Sequence, residues 1–400
     1  MKRSVSVCAG VMAAMVSFSA GAQESAPEAP LPAPAEAAQS VPVQPVQEVY
    51  KPVNLSILGG LSTNGFSSGN VVNSLSLGLL TTNAGRVDGL AMAMVGNWMD
   101  RESSGAALAM GANYAGQVRG AQMALGVNVA GGSMRGWQAS LAANVVAGEM
   151  VGAQLSTGVN IAAGETRGLQ AAVGLNIAPD MVGVQTSSGL SIASRLEGAQ
   201  ISILNIGGDV SGAQVGIVNI ARRMKGLQLG ILNVAGEAEG VNLGVLSIVG
   251  NGQHHVQAWV SEMAMANVAL KFGGKYFHTL LTVGMRPPLD GEPRLWSSGI
   301  GFGGHIPVGF FFFDLDALAS SLHEGAFIDS SHNLLGQLRL VAGFQPFKHF
   351  AIFGGVTANT LVTWEGEAPS GTDRFKQGRV FYSDDVRVQV WPGLVAGIQI

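Results

Sequence analysis

Cysteine is nearly absent: one residue in 400, Cys8, and it lies inside an apolar run near the start. A chain that loses that run has no thiol for a disulfide, a thiolate nucleophile or a thiolate metal site. Charge is scarce too, at 12% of residues with a net of −4. The longest basic cluster is Arg222-Arg223-Met224-Lys225, too little for the electrostatic footprint of nucleic-acid binding. Beyond the first 22 residues no uninterrupted apolar run is long enough for a transmembrane helix, so any membrane passage has to be made by a closed β-barrel. Against these shortages stand 57 glycines, an excess unusual for a soluble globule.

Met1 to Ala22 carries Lys2 and Arg3, an apolar stretch from Val5 to Phe18, and Ala20-Gly21-Ala22 before Gln23, the pattern of a secretory signal with its cleavage site. Cys8 sits too far inside the apolar stretch to be a lipidation site. Residues 23–52 are rich in Pro, Ala, Glu and Gln and read as an extended, unpacked leader. Residues 53–72 alternate around Ser62-Thr63-Asn64-Gly65 and predict an opening hairpin or cap.

From 73 to 253 one short phrase recurs. Its units start at 73, 89, 105, 120, 136, 152, 168, 183, 198, 212, 226 and 240, each at a glycine except Asn73 in the first. Gln recurs two places later at Gln122, Gln138, Gln154, Gln170, Gln185, Gln200, Gln214 and Gln228. Asn recurs seven or eight places after the start, at Asn113, Asn128, Asn144, Asn160, Asn176, Asn205, Asn219 and Asn233 among others. Residues between them alternate with a β period, and all 19 charged residues of the region fall between the Asn position and the next unit.

Two all-β architectures fit. In a parallel β-solenoid each unit is one coil, and identical Gln and Asn residues stack about 4.8 Å apart into amide ladders. In one large antiparallel transmembrane barrel each unit is one spanning strand and the Gln and Asn line a lumen. The solenoid is preferred, because an antiparallel meander sets the Gln of one strand against the far end of the next. The last units also shorten, and their alternation slips at Ile217-Val218-Asn219, which a corner absorbs and a spanning strand does not. The scarcity of aromatics there (Trp98, Tyr114, Trp137) points the same way.

Residues 254–400 differ. Longer alternating runs (268–283, 296–317, 335–364, 386–400), turns at His305 to Gly309 and Gln345 to His349, and abundant aromatics predict an antiparallel β region, a possible membrane anchor. The run Leu58 to Gly65, the Gly-x-Gln-x5-Asn units, the junction Gly240 to His254 and the strand Asn267 to His278 together resemble bacterial surface-repeat proteins of Gram-negative envelopes. That resemblance implies an exported protein of the outer membrane or cell surface and supplies no catalytic residue.

No motif points to chemistry. Gly299 to Gly304 fits Gly-x-Gly-x-x-Gly but leads into His305-Ile306-Pro307 rather than a helix. His254 and His255 are adjacent, so their rings point to opposite sides of an extended chain, and they read as a surface cap ending the repeats. Asp314 and Asp316 share a strand face without a nucleophile or third ligand nearby, as a solvated or lumen-facing pair. The sequence therefore predicts a non-enzymatic envelope protein with a structural, adhesive or ligand-contact role and no cofactor or metal. Its expected partners are the outer membrane and a surface ligand, not nucleic acid. An outer-membrane channel with a Gln/Asn-lined lumen is the alternative.

Overall fold

The computed structural model describes residues 47–288, 291–327, 333–347, 349–364, 369–370, 378–383 and 385–400. The expected signal segment and most of the leader lie outside them. The fold is nearly all strand: a parallel β-solenoid of about 11 turns followed by a closed eight-stranded antiparallel barrel. The single large barrel does not form.

The chain divides into two compact units, one reaching Arg135 and including Val146–Glu149, the other holding Gly136–Val145 and Met150–Ile400. The first unit starts on a cap. Val49–Tyr50, inside the stretch expected to be leader, pairs in parallel with Val71 and Val72. Val53–Leu58 turns back on Leu61–Ser62 and also pairs with Leu75 to Gly78. Coils then stack in register, with Asn97 opposite Asn113 and Gly105 opposite Gly120. Asn73 is not the first anchor. The register steps there, and the backbone facing Gly89 is that of Ser74.

The anchor glycines have a clear cause. All 11, from Gly89 to Gly240, adopt φ between +126° and +148°, a region that side chains rarely enter. A Cβ on Gly152 or Gly168 would also lie 1.8 or 2.0 Å from the carbonyl oxygen of the anchor one coil earlier.

In the second unit each coil repeats the one before it, residue on residue: Gln170 on Gln185, Gln200 on Gln214, Asn205 on Asn219. A narrow core of Ala178, Met181, Ala193, Leu196, Val210 and Met224 fills the coil interior. Charged residues keep to one edge, where Asp180, Arg195, Asp209 and Arg223 are register neighbours of alternating sign. Arg195 pairs with Asp180 at 3.0 Å and Arg223 with Asp209 at 2.7 Å, and the Arg223 hydrogen bond holds the Asp209 carboxyl below its usual range.

The last two coils and the second half of the one before them run as one continuous strand, Val218–Val249. Their slipped alternation has a visible consequence. The shortened coil brings an Asn amide to 2.6–2.7 Å from where a Cβ would sit on Gly216, Gly230 and Gly244. Earlier coils carry Ala or Ser at that place.

The barrel strands are Gln253–Ser261, Ala266–Gly273, Phe277–Arg286, Leu295–Val308, Phe311–Glu324, Asn333–Phe347, Phe350–Trp364 and Val386–Gln399. Gln257 to Ser261 pairs with Val395 to Gln399 and closes the ring, while a short strand, Arg379–Ser383, lines the other half of the last strand. The chain reverses between Val308 and Phe311 and between Phe347 and Phe350, within or beside the two turns the sequence suggested. Polarity is inverted relative to a soluble domain. Along Phe350–Trp364 the outward residues include Phe350, Ile352, Val356, Ala358 and Trp364, whereas Thr357, Asn359 and Thr363 are buried inside.

The barrel rim covers the end of the solenoid. Thr279, on the outward side of its strand, donates from Oγ1 to the Gly244 carbonyl at 3.0 Å and is 2% exposed. The Gln253 amide donates to the carbonyl of Gly274, where a Cβ would lie 3.0 Å from Asn242 Oδ1 of the last coil. The stack's final edge is thereby shielded from pairing with another chain.

Candidate functional site

The repeated amides form two columns in the solenoid core. Gln122, Gln138, Gln154, Gln170, Gln185, Gln200, Gln214 and Gln228 are each wholly buried, as are Asn113, Asn128, Asn144, Asn160, Asn176, Asn205, Asn219 and Asn233. From Gln154 to Gln228 each Nε2 donates to the Oε1 one coil earlier: Gln170 to Gln154 at 2.8 Å, Gln185 to Gln170 at 2.8 Å, Gln200 to Gln185 at 2.9 Å. The second hydrogen goes to a backbone carbonyl across the coil, such as Ile177 or Ile192.

The Asn column runs the other way. Asn144 Nδ2 donates to Asn160 Oδ1 one coil later at 2.9 Å, Asn160 to Asn176 at 3.0 Å, and Asn205 to Asn219 at 2.8 Å. Each also reaches a backbone carbonyl, as Asn160 does to Ala171. Both amide hydrogens are thus used, and the two chains of dipoles oppose one another, so their polarisation largely cancels along the axis. Burying a primary amide is unfavourable unless its partners are supplied, and here the stack supplies them. Ser191 stands where an Asn is due. It bonds Ser202 at 2.6 Å, and the Asn205 Oδ1 that should meet it has no hydrogen-bond partner.

The second constellation is inside the barrel, and spacing alone did not find it. Asp314 and Asp316 share an inward face as expected, but they are neither solvated nor open to a lumen, being 1% and 0% exposed. Lys271 Nζ donates to Asp314 Oδ2 at 2.6 Å and His305 Nδ1 lies 2.6 Å from the other oxygen. Arg339 donates from Nε and an Nη to Asp316 Oδ2 at 3.0 and 2.7 Å, and His278 Nε2 lies 2.7 Å from Oδ1. Gln257 joins Arg339 to Gln399, and the Arg339 guanidinium stacks over Trp259 at 4.7 Å.

Within the dinucleotide-like motif, Gly303 serves this packing and Gly299 makes room for Ser320 further along the same strand pair. A Cβ on Gly303 would lie 2.0 Å from Asp316 Oδ1, and one on Gly299 would strike Ser320. His254 meets the end of the repeats, its Nε2 2.6 Å from the Val249 carbonyl, while both histidines belong to the barrel. They lie on the first barrel strand, in antiparallel register with Phe272 and Lys271.

His278, Asp314 and Asp316 bring three possible ligand atoms within 4.8 Å of one another. The donor set does not suit a metal. Two carboxylates already face two buried cations, and a divalent ion would leave uncompensated positive charge in a dry interior. For chemistry the arrangement is poor as well, since its titratable atoms meet one another rather than an accessible cleft. What it can do is tie five strands together through their inner faces. No family model matches the chain, and neither a curated protein nor a solved structure matches it.

Proposed function

We propose that this chain is a non-enzymatic scaffold of the bacterial outer membrane, in which the barrel is the anchor and the solenoid the presented element. The observation that carries the proposal is the barrel's inverted polarity. Its wall exposes Leu315, Leu338, Leu340, Ile352, Val356 and Leu394, while Lys271, Asp314, Asp316 and Arg339 are sealed inside. In water that distribution leaves an apolar band uncovered on every side, which soluble monomers avoid. In a bilayer it is the stable one, because closure satisfies every backbone group and the lipid covers the wall.

Aromatic residues flank the band at both rims. Phe310, Phe347 and Phe350 lie at one, and Trp364, Phe381 and Tyr382 at the other. Such girdles belong at the two membrane interfaces. Inside, Phe312, Leu318, Val341 and Phe353 occupy the bore, which favours anchoring over conduction. A solenoid that confines its charged residues to one edge suits structural support or contact with a partner along that edge.

The test is the full chain expressed in a Gram-negative host and fractionated. Recovery in the outer membrane, resistance to carbonate extraction and a gel mobility that changes on boiling are expected. Release into the soluble fraction without detergent would refute the anchor.

A further inference from the structure

We infer that the solenoid coils adjoining the barrel stand on the periplasmic side of the membrane, and that the cell surface is met instead by the opposite barrel rim. This rests on the anchoring just proposed. It departs from a surface-displayed repeat.

Three observations converge on one rim. At the rim beside the solenoid the gaps between successive strands, after Gly273, Val308 and Phe347, are two or three residues, whereas at the far rim the gaps after Arg286, Glu324 and Trp364 are eight residues or more and that after Ser261 is four. Membrane barrels keep short turns on the periplasmic side and longer loops outside. The strand count is even, so the chain leaves the barrel at the rim where it entered: Val256 and Ile400 exchange backbone hydrogen bonds of 2.8 and 2.9 Å. That entry rim is where the last coil sits, as the Thr279 to Gly244 bond and the approach of Gly274 to Asn242 show.

Insertion physics agrees. A barrel inserting from the periplasm carries only its hairpin connections through the bilayer. With the opposite orientation the whole repeat region would have to cross as well, either folded or with its core amides stripped of partners in hydrocarbon. The rim chemistry agrees too. Phe310 and Phe347, at 66% and 70% exposed, form the tips of the short turns and need little clearance beyond the interface.

The experiment uses the chain's lack of cysteine beyond Cys8. Lys225→Cys, on the exposed solenoid edge, and Ala326→Cys, at the far rim, are each introduced into the full chain and treated with a membrane-impermeant maleimide, on intact cells and after permeabilising the outer membrane. Neither side chain is buried, so both variants retain the fold. The expected result is Ala326→Cys labelled on intact cells and Lys225→Cys labelled only after permeabilisation. Labelling of Lys225→Cys on intact cells overturns the orientation while leaving the anchor standing. Failure of Ala326→Cys to label on intact membrane-bound protein also overturns it. Loss of both signals together with recovery in the soluble fraction would instead refute the anchor itself.

Discussion

A residue in this solenoid is constrained by its copies above and below more than by its neighbours in sequence. Gln185 shows how. Its amide donates to Gln170 and to the Ile192 carbonyl, and its carbonyl accepts from Gln200. Gln185→Leu removes all three and strands an acceptor on Gln170 and a donor on Gln200, each buried. A destabilisation of about 2–4 kcal/mol is expected, since one unsatisfied buried polar group costs ~1–3 kcal/mol. A denaturant titration following β-sheet circular dichroism checks it, and an unchanged midpoint would mean the ladder is dispensable. Gly168→Ala fails differently, by strain at φ +133° and by contact with the Gly152 carbonyl. Residues forced into sparsely populated backbone regions cost about 1–3 kcal/mol before any clash is added. Gly174→Ala, in the same coil, brings a Cβ to 2.6 Å from the Gly158 carbonyl oxygen but at an ordinary φ, and without the backbone strain it is expected to cost less.

At the scale of the element, the solenoid is modular and the barrel is not. Deleting residues 168–182 removes one coil and places the Gly183 coil on the Gly152 coil, so that Gln185 follows Gln154 and the column reconnects. Repeat arrays lose stability by roughly one unit and one interface on such a change. The shortened chain is expected to keep its parallel β spectrum, whereas deletion of residues 168–173 puts Asn176 on Gln154 and is expected to aggregate. The barrel depends instead on one cluster. Arg339→Leu leaves Asp316 buried without its principal cation, a loss of about 3–5 kcal/mol, and the double variant Asp316→Leu with Arg339→Leu is expected to recover most of it. Urea denaturation of the refolded protein separates the two outcomes; equal loss in both variants would show that the pair's shape rather than its charge is what matters.

The contrast explains what the sequence could disclose. A ladder writes itself as recurrence, so Gln122 to Gln228 and Asn113 to Asn233 are legible as a stack before any coordinate is known. The Gly216, Gly230 and Gly244 column was legible only as a slip in alternation. The Lys271, His278, Asp314, Asp316 and Arg339 cluster was not legible at all, because it joins residues far apart in sequence through strand register that no local pattern fixes. Only the i, i+2 pair Asp314 and Asp316 betrayed a face.

The whole molecule poses one question that composition leaves open: what covers the apolar wall. Val356 and Leu340 are register partners near the middle of their strands, both outward and each 53% exposed. If water covers that wall, Val356→Arg is a surface substitution worth no more than about 0.5 kcal/mol. If lipid covers it, a midplane arginine costs about 2–4 kcal/mol, falling towards ~1 near the interfaces. Phe350→Arg, at the rim of the same strand, is then the milder variant, and the ratio of the two effects measures depth rather than mere hydrophobicity. Folding titrations in phospholipid vesicles are expected to rank wild type first, Phe350→Arg second and Val356→Arg last. Identical midpoints for the two arginines would leave the band without a bilayer around it, and the barrel would then need a protein partner to explain its exterior.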